Sequence, residues 1–182
     1  WGACNFCSDV TTVMGRSYRS RTVDRVLGEI AFLAQRHEAH HFVFHDLKLN
    51  SDLAVWHAIL DELPGLCGAP PVWTASVHVG NETDNGLSLE ELRAACAAGL
   101  SRITTGLESG SQSVLNAMGK GTRVERLANF CRDASRAGLS LRLTGIVGYP
   151  GCTLYPQQFV SGFAGVLDAA GNAPTFNFSI PA

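Results

Sequence analysis

Ala98-Gly99-Leu100-Ser101-Arg102-Ile103-Thr104-Thr105-Gly106-Leu107-Glu108-Ser109-Gly110-Ser111 is the stretch on which the fold turns. Gly99 stands where a helix stops, because glycine adopts the left-handed conformation that ends one. Arg102 to Leu107 reads as a strand, and it runs into a carboxylate and two hydroxyls. The same entry recurs at Ala137-Gly138-Leu139, ahead of a strand from Leu141 to Val147 that ends in Gly148-Tyr149-Pro150-Gly151. Helix, glycine stop, strand and polar loop form a repeating unit.

The unit extends in both directions. Upstream, Val23 to His37 has one apolar stripe through Val26, Leu27, Ile30, Leu33 and Ala34, with Thr22 as N-cap. His41 to Phe44 is a short apolar run that reads as a buried strand, followed by His45, Asp46 and Asn50. Asp52 to Leu63 returns to helical spacing and is expected to stop at Pro64-Gly65. Val72 to Val79 is the next strand. Ser88 with Glu91 forms a capping box for a helix ending at Gly99. Downstream, a short helix covers Val114, Leu115 and Met118 and is broken by Lys120-Gly121. A second capping box, Thr122 with Glu125, opens a helix through Val124, Leu127, Cys131 and Ala134. A helix near Gln157 to Ala169 and a strand from Thr175 to Ile180 complete the pattern.

Strand and helix alternate at roughly 30–40 residues, the length of a βα unit in a parallel sheet, so the class is α/β. Five strands are legible, whereas an eight-fold barrel takes about 250 residues. Two architectures remain: a partial (β/α) barrel or an open doubly wound sheet. In both, ligands bind at the carboxyl ends of the strands. His45, Asp46, Asn50, His78, Asn81, Glu108, Ser109, Ser111 and Gly148 to Gly151 all fall there.

With 182 residues, 46% of them hydrophobic, the chain can bury a core as one domain. A net charge of −2 carries no polyanion-binding signature. The run Arg16, Arg19, Arg21 and Arg25 reads as a solvated loop and first helical turn. No apolar run is long enough to span a bilayer. Six cysteines are too few for a disulfide scaffold in a chain of this length, so a reducing cytoplasm fits best. Four are scattered singly, and Cys96 and Cys131 fall on apolar helical faces. Only Cys4 and Cys7 have ligand spacing. Taken alone, the pair suits a zinc site, a redox dithiol or an iron–sulfur cluster equally. Glu108-Ser109-Gly110-Ser111 is likewise either a helix cap or a holder of ligand hydroxyls and amines. Gly148-Tyr149-Pro150-Gly151 alone is a turn; its functional version is a backbone that a planar ligand can approach.

In this order, the pieces resemble the radical S-adenosylmethionine superfamily. The resemblance is closest to the branch whose members often carry an N-terminal cobalamin-binding domain. That family's cluster loop is Cys-x-x-x-Cys-x-x-Cys with an aromatic before the last cysteine. Cys4 and Cys7 match the second and third, and Phe6 matches the aromatic. Ala98 to Ser111 with Met118-Gly119-Lys120-Gly121 is similar to the branch's fourth-strand signature. Tyr18-Arg19, Arg21 and Phe44 to Asn50 also match. Gly148 to Gly151 resembles the fifth-strand turn, with Cys152 where a glutamate usually follows.

The resemblance implies a partial barrel of parallel strands with outer helices. Residues 1–182 would form one radical core domain that begins within the cluster loop, its first cysteine and first strand lying before Trp1. It implies that Cys4 and Cys7 ligate a [4Fe–4S] cluster and that Phe6 packs near the adenine of S-adenosylmethionine. Glu108, with Ser109 or Ser111, would hold the nucleoside or methionyl end. Gly148, Tyr149 and Pro150 would lie against the adenine, and Asp46 near the methionyl amine. The implied chemistry is reductive cleavage of S-adenosylmethionine to methionine and a 5′-deoxyadenosyl radical, with electrons from a donor such as flavodoxin or ferredoxin. The substrate is not legible; methyl transfer is one outcome, and cobalamin enters only through branch membership and a domain outside this chain. The rival readings are a zinc or thiol-redox α/β domain and a degenerate structural module.

Overall fold

The computed structural model describes residues 4–7, 19–82 and 85–149, and the backbone of 175–179. Helix α1 (Val23–His37) buries Leu27, Ile30 and Ala34, the i, i+3, i+7 stripe its sequence predicts. Thr22 stands at its N-cap, but its side chain makes no capping hydrogen bond. Strand β1 (His41–Val43) follows, then a 3₁₀ turn (Leu49–Ser51) and α2 (Leu53–Leu66). The Asp52 carboxylate caps α2 by accepting from the Ala54 and Val55 amides. Helix α2 does not stop at Pro64-Gly65 but continues to Leu66. A proline near a helix's C-terminal end forfeits only one hydrogen bond, and buried Leu63 anchors the last turns.

The remaining elements are β2 (Val72–Val77), α3 (Leu89–Ala97), β3 (Leu100–Glu108), α4 (Gln112–Ala117), α5 (Val124–Arg136), β4 (Ser140–Ile146) and β5 (Thr175–Ser179). The Ser88–Glu91 capping box forms with both reciprocal bonds. The Thr122–Glu125 box does not form. Arg123 is the N-cap of α5, and the Gln112 side chain accepts from the Val124 amide at 3.1 Å instead. Thr122 is buried and spends its hydroxyl on the carbonyl of Val79, beyond the end of β2. The expected helix over 157–169 lies outside the described residues.

All five strands are parallel, in the order β1-β2-β3-β4-β5 with no reversal. A doubly wound sheet reverses direction at its switch point. Right-handed crossovers without reversal put every helix on one face, which is the winding of a partial (β/α) barrel. Burial alternates accordingly. Trp73, Ala75 and Val77 of β2, Ile103 and Leu107 of β3, and Leu141 and Leu143 of β4 are buried in the helix-side core. Thr74, Ser76, Thr104 and Thr144 face the other way and are half-buried. Trp73 packs edge-to-face on Trp56 of α2, and its indole N–H donates to the Ala98 carbonyl at 2.8 Å. Gly99 is obligatory at the turn before β3, with φ +93° and the Pro71 carbonyl 2.0 Å from where a Cβ would stand. The expectation of a buried strand at His41–Phe44 needs correction. His41 and Val43 of β1 are exposed, because among the described residues β1 pairs only with β2 and forms the sheet edge.

Candidate functional site

The site is built on the carboxyl end of β3. A register shift between Gly106 and Glu108 sets two residues of β3 against one of β4, the bulge that re-aims a strand's last side chain. Glu108 has φ +58°, and the Ser109 amide closes a tight turn by donating to the Leu107 carbonyl at 2.7 Å. A non-glycine residue in this conformation is strained and is held by its surroundings. Here Lys120 holds it: Nζ lies 2.8 Å from Glu108 Oε1, with only 10% and 9% of the two side chains exposed. Gly106 makes room, since a Cβ there would stand 2.1 Å from Glu108 Oε1 and 2.6 Å from Lys120 Nζ. Ser111 is the N-cap of α4 but makes no side-chain capping bond, and its hydroxyl pairs with that of Ser113 at 2.9 Å. Ser109 is fully buried, and its Oγ accepts from the Ser111 amide at 3.1 Å.

The cysteine loop sits on the carbonyl end of α4. The backbone amide of Asn5 donates to Met118 O at 3.1 Å and its side-chain amide to Ala117 O at 2.8 Å. The thiol of Cys4 lies 3.7 Å from Gly119 O. These carbonyls have no partner within the helix, so the loop satisfies them. The Phe6 ring centroid lies 5.8 Å from Lys120 Nζ, within cation–π range. Burial pushes the Cys4 thiol up; the Lys120 ammonium opposes this, while Cys7 and Glu108 reinforce it. Neither cysteine is in a disulfide, and both are half-buried. Cys131, by contrast, is buried in the helix-side core and pushed up to about 12, an inert position.

The turn after β4 reaches the same loop. The Tyr149 hydroxyl lies 2.7 Å from Asn5 Oδ1 and 3.3 Å from Ala117 O. Gly148 has φ +83° and open space where a Cβ would stand, so its backbone is accessible. Pro150 lies outside the described residues. Past the end of β2, burial lowers His78 to about 4, assisted by the Lys120 and Lys48 ammoniums. Asn50 ties the ends of β1 and β2 together. Its Oδ1 accepts from the His78 amide at 2.9 Å, while its Nδ2 donates to the carbonyls of His78 and Asn85 at 3.0 and 2.9 Å. Asp46 is exposed and joins none of these contacts.

The fold thus brings Cys4, Phe6, Cys7, Glu108 and Tyr149 together around two residues that sequence reasoning gave no role, Lys120 and Asn5. Lys120 read as the break after a short helix and as part of the family signature, with no site role, and Asn5 carried no reading of its own. Among the described residues, no group of three or more His, Cys, Asp and Glu side chains could hold a metal ion. A four-ligand zinc site is therefore not formed by these residues. Two soft thiols in one loop fit part of an iron–sulfur ligand set. The polar cleft between the loop after β2 and α5, lined by Asn81, Arg123 and Arg126, holds one residue of the expected rim, Asn81, and none of those assigned to the cluster or to S-adenosylmethionine.

Residues 1–154 match the model of the Radical SAM superfamily, and the chain belongs to that family of enzymes. The family's cofactors are a [4Fe–4S] cluster and S-adenosylmethionine. An uncharacterised methyltransferase of Pyrococcus horikoshii is 27% identical over 167 residues, covering 91% of this chain and 34% of that protein. The fold is similar to the cobalamin-dependent S-adenosylmethionine radical enzyme OxsB, with TM-score 0.70, 22% identity, and 92% and 24% of the two chains covered. It is also similar to the radical S-adenosylmethionine methyltransferase TsrM of Kitasatospora setae, with TM-score 0.69, 18% identity, and 91% and 32% covered. Coproporphyrinogen III oxidase of Escherichia coli, a radical SAM enzyme, gives TM-score 0.65 at 15% identity, with 98% and 41% covered. The chain spans about a third of the length of the curated relative and about a quarter of OxsB.

Proposed function

We propose that residues 1–182 form the S-adenosylmethionine-cleaving core of a radical methyltransferase. The observation that carries this reading is the seating of the Cys4–Cys7 loop on the α4 turn, beside the buried Glu108–Lys120 pair. Cys4 and Cys7 hold the cluster. Phe6, Gly148, Tyr149 and Pro150 line the adenine. Glu108 and Ser111 hold the nucleoside or methionyl end, while Ser109, buried inside the turn, accepts from the Ser111 amide and fixes the turn. Asp46, exposed beyond β1, takes the methionyl amine. With both cofactors bound, the cluster supplies one-electron reductive cleavage of the sulfonium. The protein's part is to bind, to orient and to exclude water.

Methyl transfer is supported by the Pyrococcus horikoshii methyltransferase and by the likeness to TsrM. Cobalamin is supported by the likeness to OxsB and would bind through a domain beyond this chain. A flavodoxin or ferredoxin supplies the electron, in a reducing cytoplasm; among the described residues no helix is long and apolar enough to cross a membrane.

Anaerobic reconstitution of the full-length enzyme with iron and sulfide tests the reading. A brown protein that, once reduced, converts S-adenosylmethionine to methionine and 5′-deoxyadenosine or a methylated product supports it, and Cys4→Ala and Cys7→Ala should abolish both colour and turnover. A colourless protein that cleaves nothing overturns it.

A further inference from the structure

We propose that Lys120 is a positioning residue that sets the reduction potential of the cluster, because its ammonium balances the negative groups gathered around the cysteine loop. The proposal rests on the assignment of Cys4 and Cys7 as cluster ligands. Three carbonyl oxygens, of Ala117, Met118 and Gly119, accept from the loop, and the Glu108 carboxylate, held by Lys120, is close enough for its charge to act on Cys4. Each would oppose the arrival of an electron. Among the described residues, Lys120 is the cation that both touches Glu108, at 2.8 Å, and reaches the loop, with Nζ 5.8 Å from the Phe6 ring. Both members of the pair are about nine-tenths buried, so water screens them little. The step concerned is one-electron reduction of the cluster by an external low-potential donor, in which no bond forms or breaks.

Net charge and hydrogen bonding near an iron–sulfur cluster govern its potential. The Glu108–Lys120 pair is neutral as a whole, so replacing one member with an amide changes the local charge by one unit while preserving its size and hydrogen-bonding capacity. Lys120→Gln leaves Glu108 uncompensated, and Glu108→Gln leaves Lys120 uncompensated. The two substitutions should therefore move the potential in opposite directions.

The test is anaerobic redox titration of the reconstituted intact enzyme without S-adenosylmethionine, followed by electron paramagnetic resonance. Lys120→Gln should shift the midpoint to more negative values and Glu108→Gln to more positive ones. The double substitution should return it towards wild type, and Lys120→Arg should keep it there. Glu108→Gln carries the test even if Lys120→Gln does not fold. Midpoints that ignore both charges, or move the same way in both single variants, overturn the proposal alone. A wild-type enzyme with no reducible cluster overturns the functional reading and this proposal with it.

Discussion

The Tyr149 hydroxyl lies 2.7 Å from Asn5 Oδ1, joining the turn after the fourth strand to the cysteine loop across 144 residues of sequence. Asn5 also donates to Ala117 O through its side chain and to Met118 O through its backbone, so three segments meet on one amide residue. Asn5→Ala keeps the backbone bond and loses both side-chain bonds. At about 1 kcal/mol each, the docked loop becomes roughly 30-fold less favoured. Tyr149→Phe loses one such bond and should cost roughly 5-fold. Iron retained per protein after anaerobic desalting should fall in the order wild type, Tyr149→Phe, Asn5→Ala. Equal retention in all three would show that the loop is held by other contacts.

Gly106 leaves the space that the Glu108–Lys120 pair occupies. A Cβ there would stand 2.1 Å from Glu108 Oε1. The strand backbone itself does not forbid alanine at this position, so Gly106→Ala should keep the fold and displace the pair. The expected result is at least about tenfold weaker S-adenosylmethionine binding by calorimetry, with a stability change of about 1–3 kcal/mol, as overpacking typically costs. Unchanged affinity would separate the pair from the binding site.

What was legible in the sequence was local. The Ser88–Glu91 box forms as its spacing predicts because both partners lie within one helical turn. All five expected strands form because strand patterns need only period and punctuation. The Thr122–Glu125 box has the same spacing and fails, because Val79 O, from a distant segment, takes the Thr122 hydroxyl. Spacing shows a capping acceptor but not the tertiary contact that turns it elsewhere. Lys120 was hidden for the same reason: it marks a helix end in sequence, and only the fold sets it against Glu108 and Phe6. The cysteine loop showed two thiols at ligand spacing, by themselves equally suited to zinc, a dithiol or a cluster, whereas its docking on the α4 carbonyls is a tertiary fact.

His78 is held neutral, lowered from 6.5 to about 4 first by burial and then by Lys120 and Lys48. The unfolded chain takes up this proton near pH 6.5, the folded one only near pH 4. The contribution to stability is therefore complete above pH 6.5, falls as the pH drops towards 4, and changes no further below that. The ring is partly exposed, so the loss between pH 7 and 5 is about 1–2 kcal/mol. Urea unfolding at the two pH values should show it, and His78→Asn should flatten it. An unchanged slope in the variant would assign the pH dependence to other groups.

Thr122 and Glu125 separate a cap from a tertiary tie. Thr122→Val leaves the Val79 carbonyl buried without its donor, a loss of about 1–3 kcal/mol, although valine fills the same volume. Glu125 makes no reciprocal capping bond, so Glu125→Gln should stay within about 0.5 kcal/mol of wild type. Gln112 does the capping, with its Oε1 on the Val124 amide and its Nε2 on the Thr122 carbonyl. Gln112→Ala should therefore cost about 1 kcal/mol. Urea midpoints at constant slope measure all three. If Glu125→Gln proves as costly as Thr122→Val, a capping box is present in solution and the Val79 contact is secondary.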